Sequence, residues 1–255
     1  MQLIDSHTHL YVSSFNPDRD AIINRAREAG VSRFYLPAID SETTGAMLAL
    51  EARFPNECFA MMGLHPCSVN ENFKTELYLV EKWLSERPFA AVGEIGLDFY
   101  WDKTYTEQQY EAFRIQIEWA LHYKLPINIH TRNAMEETIN VVKEYKGRGL
   151  RGIFHCFTGS YESAVQILDT GFLLGIGGVV TYKNAGLAEA LAKIPPEHLV
   201  LETDAPYLTP VPFRGKRNES SYLQYVVKKL EEVYGIPQER IAEITSANAM
   251  SLYAI

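Results

Sequence analysis

Five of the chain's seven histidines stand where a short apolar run gives way to polar residues. His7 and His9 close Asp5-Ser6-His7-Thr8-His9, and His65 sits in Gly63-Leu64-His65-Pro66. His130 lies in Asn128-Ile129-His130-Thr131-Arg132 and His155 in Phe154-His155-Cys156, which leaves only His122 and His198 elsewhere. Carboxylates follow the same habit: Glu94 and Asp98 in Gly93-Glu94-Ile95-Gly96-Leu97-Asp98, Glu202 and Asp204 in Glu202-Thr203-Asp204-Ala205-Pro206. Side chains two apart on an extended strand share a face, so His7 and His9 point to one side with Asp5 below them. Imidazole nitrogens and carboxylate oxygens suit Zn²⁺ or Mn²⁺, with Mg²⁺ favoured only where oxygens dominate. Thiolates are nearly absent from the set, which argues against a structural zinc knuckle. Four histidines and two carboxylates exceed what one tetrahedral ion needs. Two ions sharing a bridging carboxylate is the natural count, and such pairs suit displacements at phosphorus.

Taken singly, each feature has an ordinary explanation. A lone HxH pair is weak evidence of a metal, and an isolated strand-end His130 or His155 is more often a hydrogen-bonded packing residue. Glu94 alone could be an interior carboxylate paired with an arginine. Together these explanations fail, because they must gather the whole set by accident and leave buried carboxylates without a cation.

Such a set needs a scaffold that delivers many strand ends to one place. Strand-like runs begin near Leu3, Arg33, Cys58, Ala90, Pro126, Gly152, Phe172 and Leu199. Helical patterning lies between them, near 18–29, 42–53, 75–86, 106–123, 134–145, 161–170 and 185–193, then over Ser220–Tyr234 and past Pro237. In 106–123 the residues Tyr110, Phe113, Ile117 and Leu121 recur at the spacing of one buried helix face. Eight strands alternating with helices predict a (β/α)8 TIM barrel, in which catalytic groups come from the C-terminal strand ends. The rival open doubly wound sheet normally carries a Gly-rich turn after its first strand, where this chain has SHTHL. No linker-like tract divides the chain, so residues 1–255 are expected to form one domain.

Around that end, Asp204 can ligate a metal and also take the proton of an attacking water, and Glu202 on the same strand face can orient a ligand or a substrate group. Asp98 either caps a turn or lines the mouth. The parity of Cys156 turns it away from the face of His155, which argues against a thiol nucleophile. Arg132, two residues beyond His130, is a candidate phosphate contact. His65 suits a metal ligand or a phosphate contact equally well. Arg214 and Lys216, with Arg217, place three cations within four positions of the loop after strand eight, where they could approach phosphates or simply be solvated.

The chain has 24 Lys and Arg against 32 Asp and Glu, a formal charge of −8, which excludes passive wrapping of nucleic acid by a basic surface. Two bound divalent ions would make the mouth locally positive on that acidic body, so a grip on a few nucleotides is compatible with the charge. A hydrophobic share of 47% excludes disorder, and no apolar run approaches the ~20 residues of a membrane span. The start, MQLIDSHTHL, lacks a signal-peptide pattern, and Cys58, Cys67 and Cys156 make no disulfide framework. A cytoplasmic protein with no membrane partner and no obligate protein partner is expected.

The segments DSHTHL, GLHP, GEIGLDFY, LPINIHTRNA, HCFTG and LETDAPYLTPVPFRGKRNE resemble the TatD family of metal-dependent hydrolases within the amidohydrolase-like barrels, as do Gln109 and Gln116 of a QxxxFxxQ helix. The resemblance runs from Asp5 to about Leu223, with a further trace at Ala247-Asn248-Ala249. It implies a metallo-dependent hydrolase barrel with two divalent ions (Zn, Mn or Mg) on His7, His9, Glu94, His130, His155 and Asp204. Glu94 would be the bridge, and His65 and Arg132 would face substrate phosphate. It further implies divalent-metal deoxyribonuclease activity, including 3′→5′ exonuclease action; the expected reaction is hydrolysis at ends or single strands of DNA through a metal-activated water deprotonated by Asp204. Two departures touch the mouth. Tyr11 stands where the family usually has an acidic residue, and Ser220 stands where its NEPxY segment has proline. The alternatives are a hydrolase of a small ester, lactone or amide on the same barrel, and a non-catalytic metal- or ligand-binding barrel.

Overall fold

Short apolar runs buried on both faces are the signature of parallel strands under helices, and the described residues form eight such strands. A computed structural model describes residues 1–253; positions 254 and 255 of the span expected as one domain lie outside the described residues. The order is β1 (Leu3–Asp5), α1 (Arg19–Glu28), β2 (Val31–Pro37), α2 (Ser41–Arg53), β3 (Cys58–Met61) and α3 (Phe73–Glu86). There follow β4 (Val92–Asp98), α4 (Thr106–Tyr123), β5 (Ile127–Arg132), α5 (Met135–Glu144), β6 (Gly152–Phe154) and α6 (Tyr161–Leu168). The chain then forms β7 (Leu173–Ile176), α7 (Leu187–Leu191), β8 (Leu199–Leu201), α8 (Leu223–Tyr234) and α9 (Gln238–Leu252). Local chemistry sets several boundaries: the side chains of Asp40 and Ser160 cap α2 and α6, and left-handed Gly235 ends α8.

Among the described residues every strand pairing is parallel, in two ladders, β1-β2-β3 and β4-β5-β6-β7-β8. Two seams join them into the expected barrel. At one, Met62 N–H donates to Ala91 O (3.1 Å) and Gly93 N–H to Met62 O (3.0 Å). At the other, Ser6 N–H donates to Leu201 O (2.9 Å), Asp204 N–H to His7 O (2.9 Å) and His9 N–H to Ala205 O (2.8 Å). The second seam matters for chemistry, because it ties His7 and His9 to Asp204 through the backbone.

Leu3, Phe34, Ile129, Phe154 and Leu199 pack with the helices in one large core. A smaller apolar cluster of Ile4, Tyr35, Met61, Ile153 and Val200 receives Tyr253 after α9, stacked on Tyr35 with ring centroids 4.1 Å apart.

The buried face of α4 is rotated from the expected one. Phe113 and Ile117 are buried as expected, but Tyr110 and Leu121 are only partly so, and Gln109 and Gln116 take inward places. Each amide completes a strand end. Gln109 Oε1 accepts from Asp98 N–H (2.9 Å) and its Nε2 donates to Asp98 O (3.1 Å). Gln116 does the same with Leu64, at 2.7 and 3.2 Å. A pattern read on hydrophobicity alone discounts glutamine, whereas a fully hydrogen-bonded amide is at home in a core.

Candidate metal centre

Glu94, on β4, is 2% exposed, and its two carboxylate oxygens face different histidines. Oε2 lies 3.2 Å from His7 Nε2 and 3.5 Å from His9 Nε2. Asp204 Oδ1 closes that group, 3.5 Å from His7 Nε2 and 3.4 Å from His9 Nε2. Oε1 lies 2.8 Å from His130 Nδ1, 3.2 Å from His155 Nε2 and 3.3 Å from His65 Nε2. All six residues of the expected metal set are therefore within one cluster, with Glu94 between its halves. His65, which the sequence left between ligand and substrate contact, joins the second half.

The far nitrogen of each ring decides what the near one can do. His7 Nδ1–H donates to Asn128 Oδ1 (2.8 Å), an acceptor because the amide nitrogen of Asn128 points to Tyr253 Oη (3.3 Å). His9 Nδ1–H donates to Tyr11 Oη (3.0 Å), whose own proton goes to Pro37 O (2.5 Å). His130 Nε2 faces Asp98 Oδ2 (2.9 Å) and His155 Nδ1 faces Glu202 Oε1 (3.2 Å). In its neutral form each of these four rings turns a lone pair to the cluster. His65 is the exception: its Nδ1 accepts from Cys67 N–H (3.0 Å), so the neutral ring carries its proton on Nε2 and presents a donor.

The electrostatics agree. Burial would raise the pKa of Glu94, but His65, His155 and His7 hold it well below the carboxylate range. Burial would likewise raise that of Asp204, and the His9 contact with the charges of His155 and His7 brings it down. Burial opposes protonation of His155, yet Glu94 and Glu202 pull its pKa well above the imidazole range. His65 moves the other way, lowered by burial. Carboxylates that draw protons onto neighbouring imidazoles form a site that a divalent cation can occupy by displacing those protons. Three subsets have ligand atoms within 4.8 Å of one another: His7 with His155 and Asp204, His7 with His9 and Glu94, and His65 with Glu94 and His130. Behind them Glu202 Oε2 is buried with no hydrogen-bond partner, in space kept open by Gly175, whose Cβ would come within 2.2 Å of it. The donor set fits divalent metal.

The cluster opens into a cavity of about 640 Å³ lined by Arg132, Trp101, Tyr207 and Leu208 as well as the histidines. Asn133, Cys156, Asp204 and Leu208 around this end all adopt left-handed backbone without being glycine, a concentration typical of functional loops. Cys156 corrects the parity argument: β6 has ended at Phe154, the alternation no longer applies, and the residue lines the cavity. Its thiol is nonetheless pushed well above its ordinary pKa by burial and by Asp204 and Glu202, against a nucleophilic role. Asp98 serves both expected ends, since Oδ1 accepts from Tyr100 N–H (2.9 Å) and Trp101 N–H (3.1 Å) while Oδ2 holds His130.

Arg214 and Lys216 are not among the residues lining the cavity. Both are exposed, with the Arg214 guanidinium 4.1 Å from the Tyr182 ring centroid and Lys216 Nζ 5.6 Å from that of Phe213. Arg217 pairs with Asp18 (2.6 Å). At the altered NEPxY segment, Asn218 Nδ2 donates to Thr203 O (2.8 Å) and Tyr207 O (2.7 Å), and Glu219 binds Arg25 through both oxygens, so the turn is held without proline. The residues that hydrophobic pattern alone did not single out are Asn128, Gln109 and Gln116, polar side chains buried at strand ends or against them.

A family model described as TatD related DNase matches residues 4–254. A Bacillus subtilis protein named as the uncharacterized metal-dependent hydrolase YabD is 39% identical over 99% of both chains. The 3′-5′ ssDNA/RNA exonuclease TatD of Erwinia tasmaniensis is 33% identical over 98% of this chain and 99% of its own. Among solved structures, YjjV, a TatD homologue of Escherichia coli K12, superposes with a TM-score of 0.93 at 30% identity, covering 99% of this chain and 98% of that one.

Proposed function

The chain belongs to the TatD family of metal-dependent hydrolases, and from that premise we propose that it hydrolyses phosphodiester bonds of DNA, working 3′→5′ from ends or single strands. The observation that carries the reading is Glu94, whose two oxygens each face their own histidines and so suit a bridge between two divalent ions. His7, His9, Glu94, His130, His155 and Asp204 would hold the ions. Divalent ions at these donors supply charge against the phosphoryl oxygens and bring the pKa of a water toward neutrality.

The chain's own groups do the rest. Asp204, held ionised at the edge of the cavity, accepts the proton of the attacking water. His65, a donor at Nε2, hydrogen-bonds a phosphoryl oxygen, and the Arg132 guanidinium, free of any acidic partner among the described residues, pairs with a phosphate at the rim. Asn128, Tyr11, Asp98 and Glu202 keep the imidazoles in their tautomers and orientations. In this reading the 255 residues work as one catalytic domain in the cytoplasm. No helix of the described residues is long and apolar enough to cross a membrane.

The test uses chelator-treated protein re-supplied separately with Mg²⁺, Mn²⁺ and Zn²⁺, assayed on end-labelled single-stranded DNA and on a panel of carboxyl esters and lactones. Metal-restored shortening of the DNA from its 3′ end is expected. Turnover of an ester with no DNA cleavage overturns the substrate, and chelator-insensitive DNA cleavage overturns the mechanism.

A further inference from the structure

Directly after β4 the chain places two aromatic side chains in solvent: Tyr100 is 49% and Trp101 68% exposed. Large aromatics left this open contribute little to a core, yet these two are firmly placed. Asp98 Oδ1 accepts both of their backbone N–H groups, the same carboxylate's other oxygen holds His130, and Gln109 clamps the backbone of Asp98 from α4. The rings meet edge to face with centroids 4.9 Å apart. The Arg132 guanidinium lies 3.7 Å from the centroid of Tyr100 and 5.2 Å from that of Trp101. Trp101 and Arg132 both line the cavity that leads to Glu94. An aromatic face beside an unpaired guanidinium, braced from a metal-binding strand end, has the composition of a surface that stacks a nucleobase while pairing with its phosphate.

We propose that Trp101, braced by Tyr100 and Arg132, stacks an unpaired nucleobase next to the phosphodiester that enters the cavity, and so selects single-stranded over duplex ends. The inference rests on the phosphodiesterase reading and adds the group that recognises the base. The donors are nearly buried, so a scissile phosphate must enter the cavity to reach them. A base still stacked and paired in a duplex offers no free face to the rim; an unpaired one does.

The experiment compares wild type, Trp101→Ala and Trp101→Phe, with metal restored, on three substrates. These are a single-stranded oligonucleotide, the same strand with its terminal residues abasic, and the blunt duplex. For Trp101→Ala, KM on the intact single strand should rise about 5- to 150-fold, the equivalent of ~1–3 kcal/mol per stacked base, with a smaller change in kcat. Trp101→Phe should recover most of the loss, and the penalty of Trp101→Ala should shrink to within about twofold on the abasic strand. A KM unmoved by Trp101→Ala, or an equal penalty on intact and abasic strands, overturns the inference while leaving the nuclease reading intact. Wild-type protein that cleaves no oligonucleotide overturns both.

Discussion

Each histidine of the centre takes its role from the group behind it, and that gives sharp expectations for single substitutions. His65, whose Nδ1 accepts a backbone N–H, is in the proposed function a donor toward substrate rather than a ligand. Replacement by glutamine should leave metal content at the wild-type level and lower kcat by about 10²-fold or more; elemental analysis and kinetics on one preparation decide it. Loss of metal from that variant would make His65 a ligand instead. Tyr11 stands behind His9 where the family usually has an acidic residue, and its hydroxyl passes the hydrogen bond on to Pro37 O. Tyr11→Phe should therefore weaken metal binding about 10-fold, read by competition with a chromogenic chelator, with little change in thermal stability. Unchanged affinity would show that the phenol hydroxyl does not orient the ring. The histidines and carboxylates were legible in the sequence because their residue types at successive strand ends have few other uses. The partners behind them were only partly so, because a buried asparagine or glutamine carries no signal in a hydrophobic pattern.

At the scale of elements, β4 and β5 do most of the positioning, and they approach each other closely because Gly96 lacks a side chain. Its φ is +146°, and a Cβ there would come within 2.0 Å of His130 O. Gly96→Ala should destabilise the fold by on the order of 3 kcal/mol and displace His130, seen as a lower urea midpoint together with lost metal. A midpoint within experimental error of wild type would contradict the close packing. Among the described residues, the eight strands and nine α-helices fall where apolar runs and helical periodicity place them, since both are local signals. The face of α4 does not, because Gln109 and Gln116 answer to backbone groups of Asp98 and Leu64 that only the folded chain brings near. The loop holding Arg214 and Lys216 lies outside the residues that line the cavity. Charge is visible in a sequence, but the rings of Tyr182 and Phe213, over which these cations lie, are chosen by packing.

Over the whole molecule, an acidic chain of net charge −8 carries a centre that attracts cations, so contact with nucleic acid should be confined to the mouth. The dependence of log kcat/KM on log salt for a single strand should be shallow, with a slope between about −0.7 and −2, as for one to three neutralised phosphates. A slope steeper than about −4 would mean an extended binding track that the charge does not predict. The barrel brings donors from β4, β5 and the segments just after β1, β6 and β8 to one place, and the account depends on their acting together on metal. The most direct test measures metal content, folding and 3′-labelled single-strand hydrolysis on the same preparations of wild type and His130→Ala. The account predicts a folded variant that has lost metal and nearly all turnover, and it is contradicted by wild-type turnover with a full metal complement.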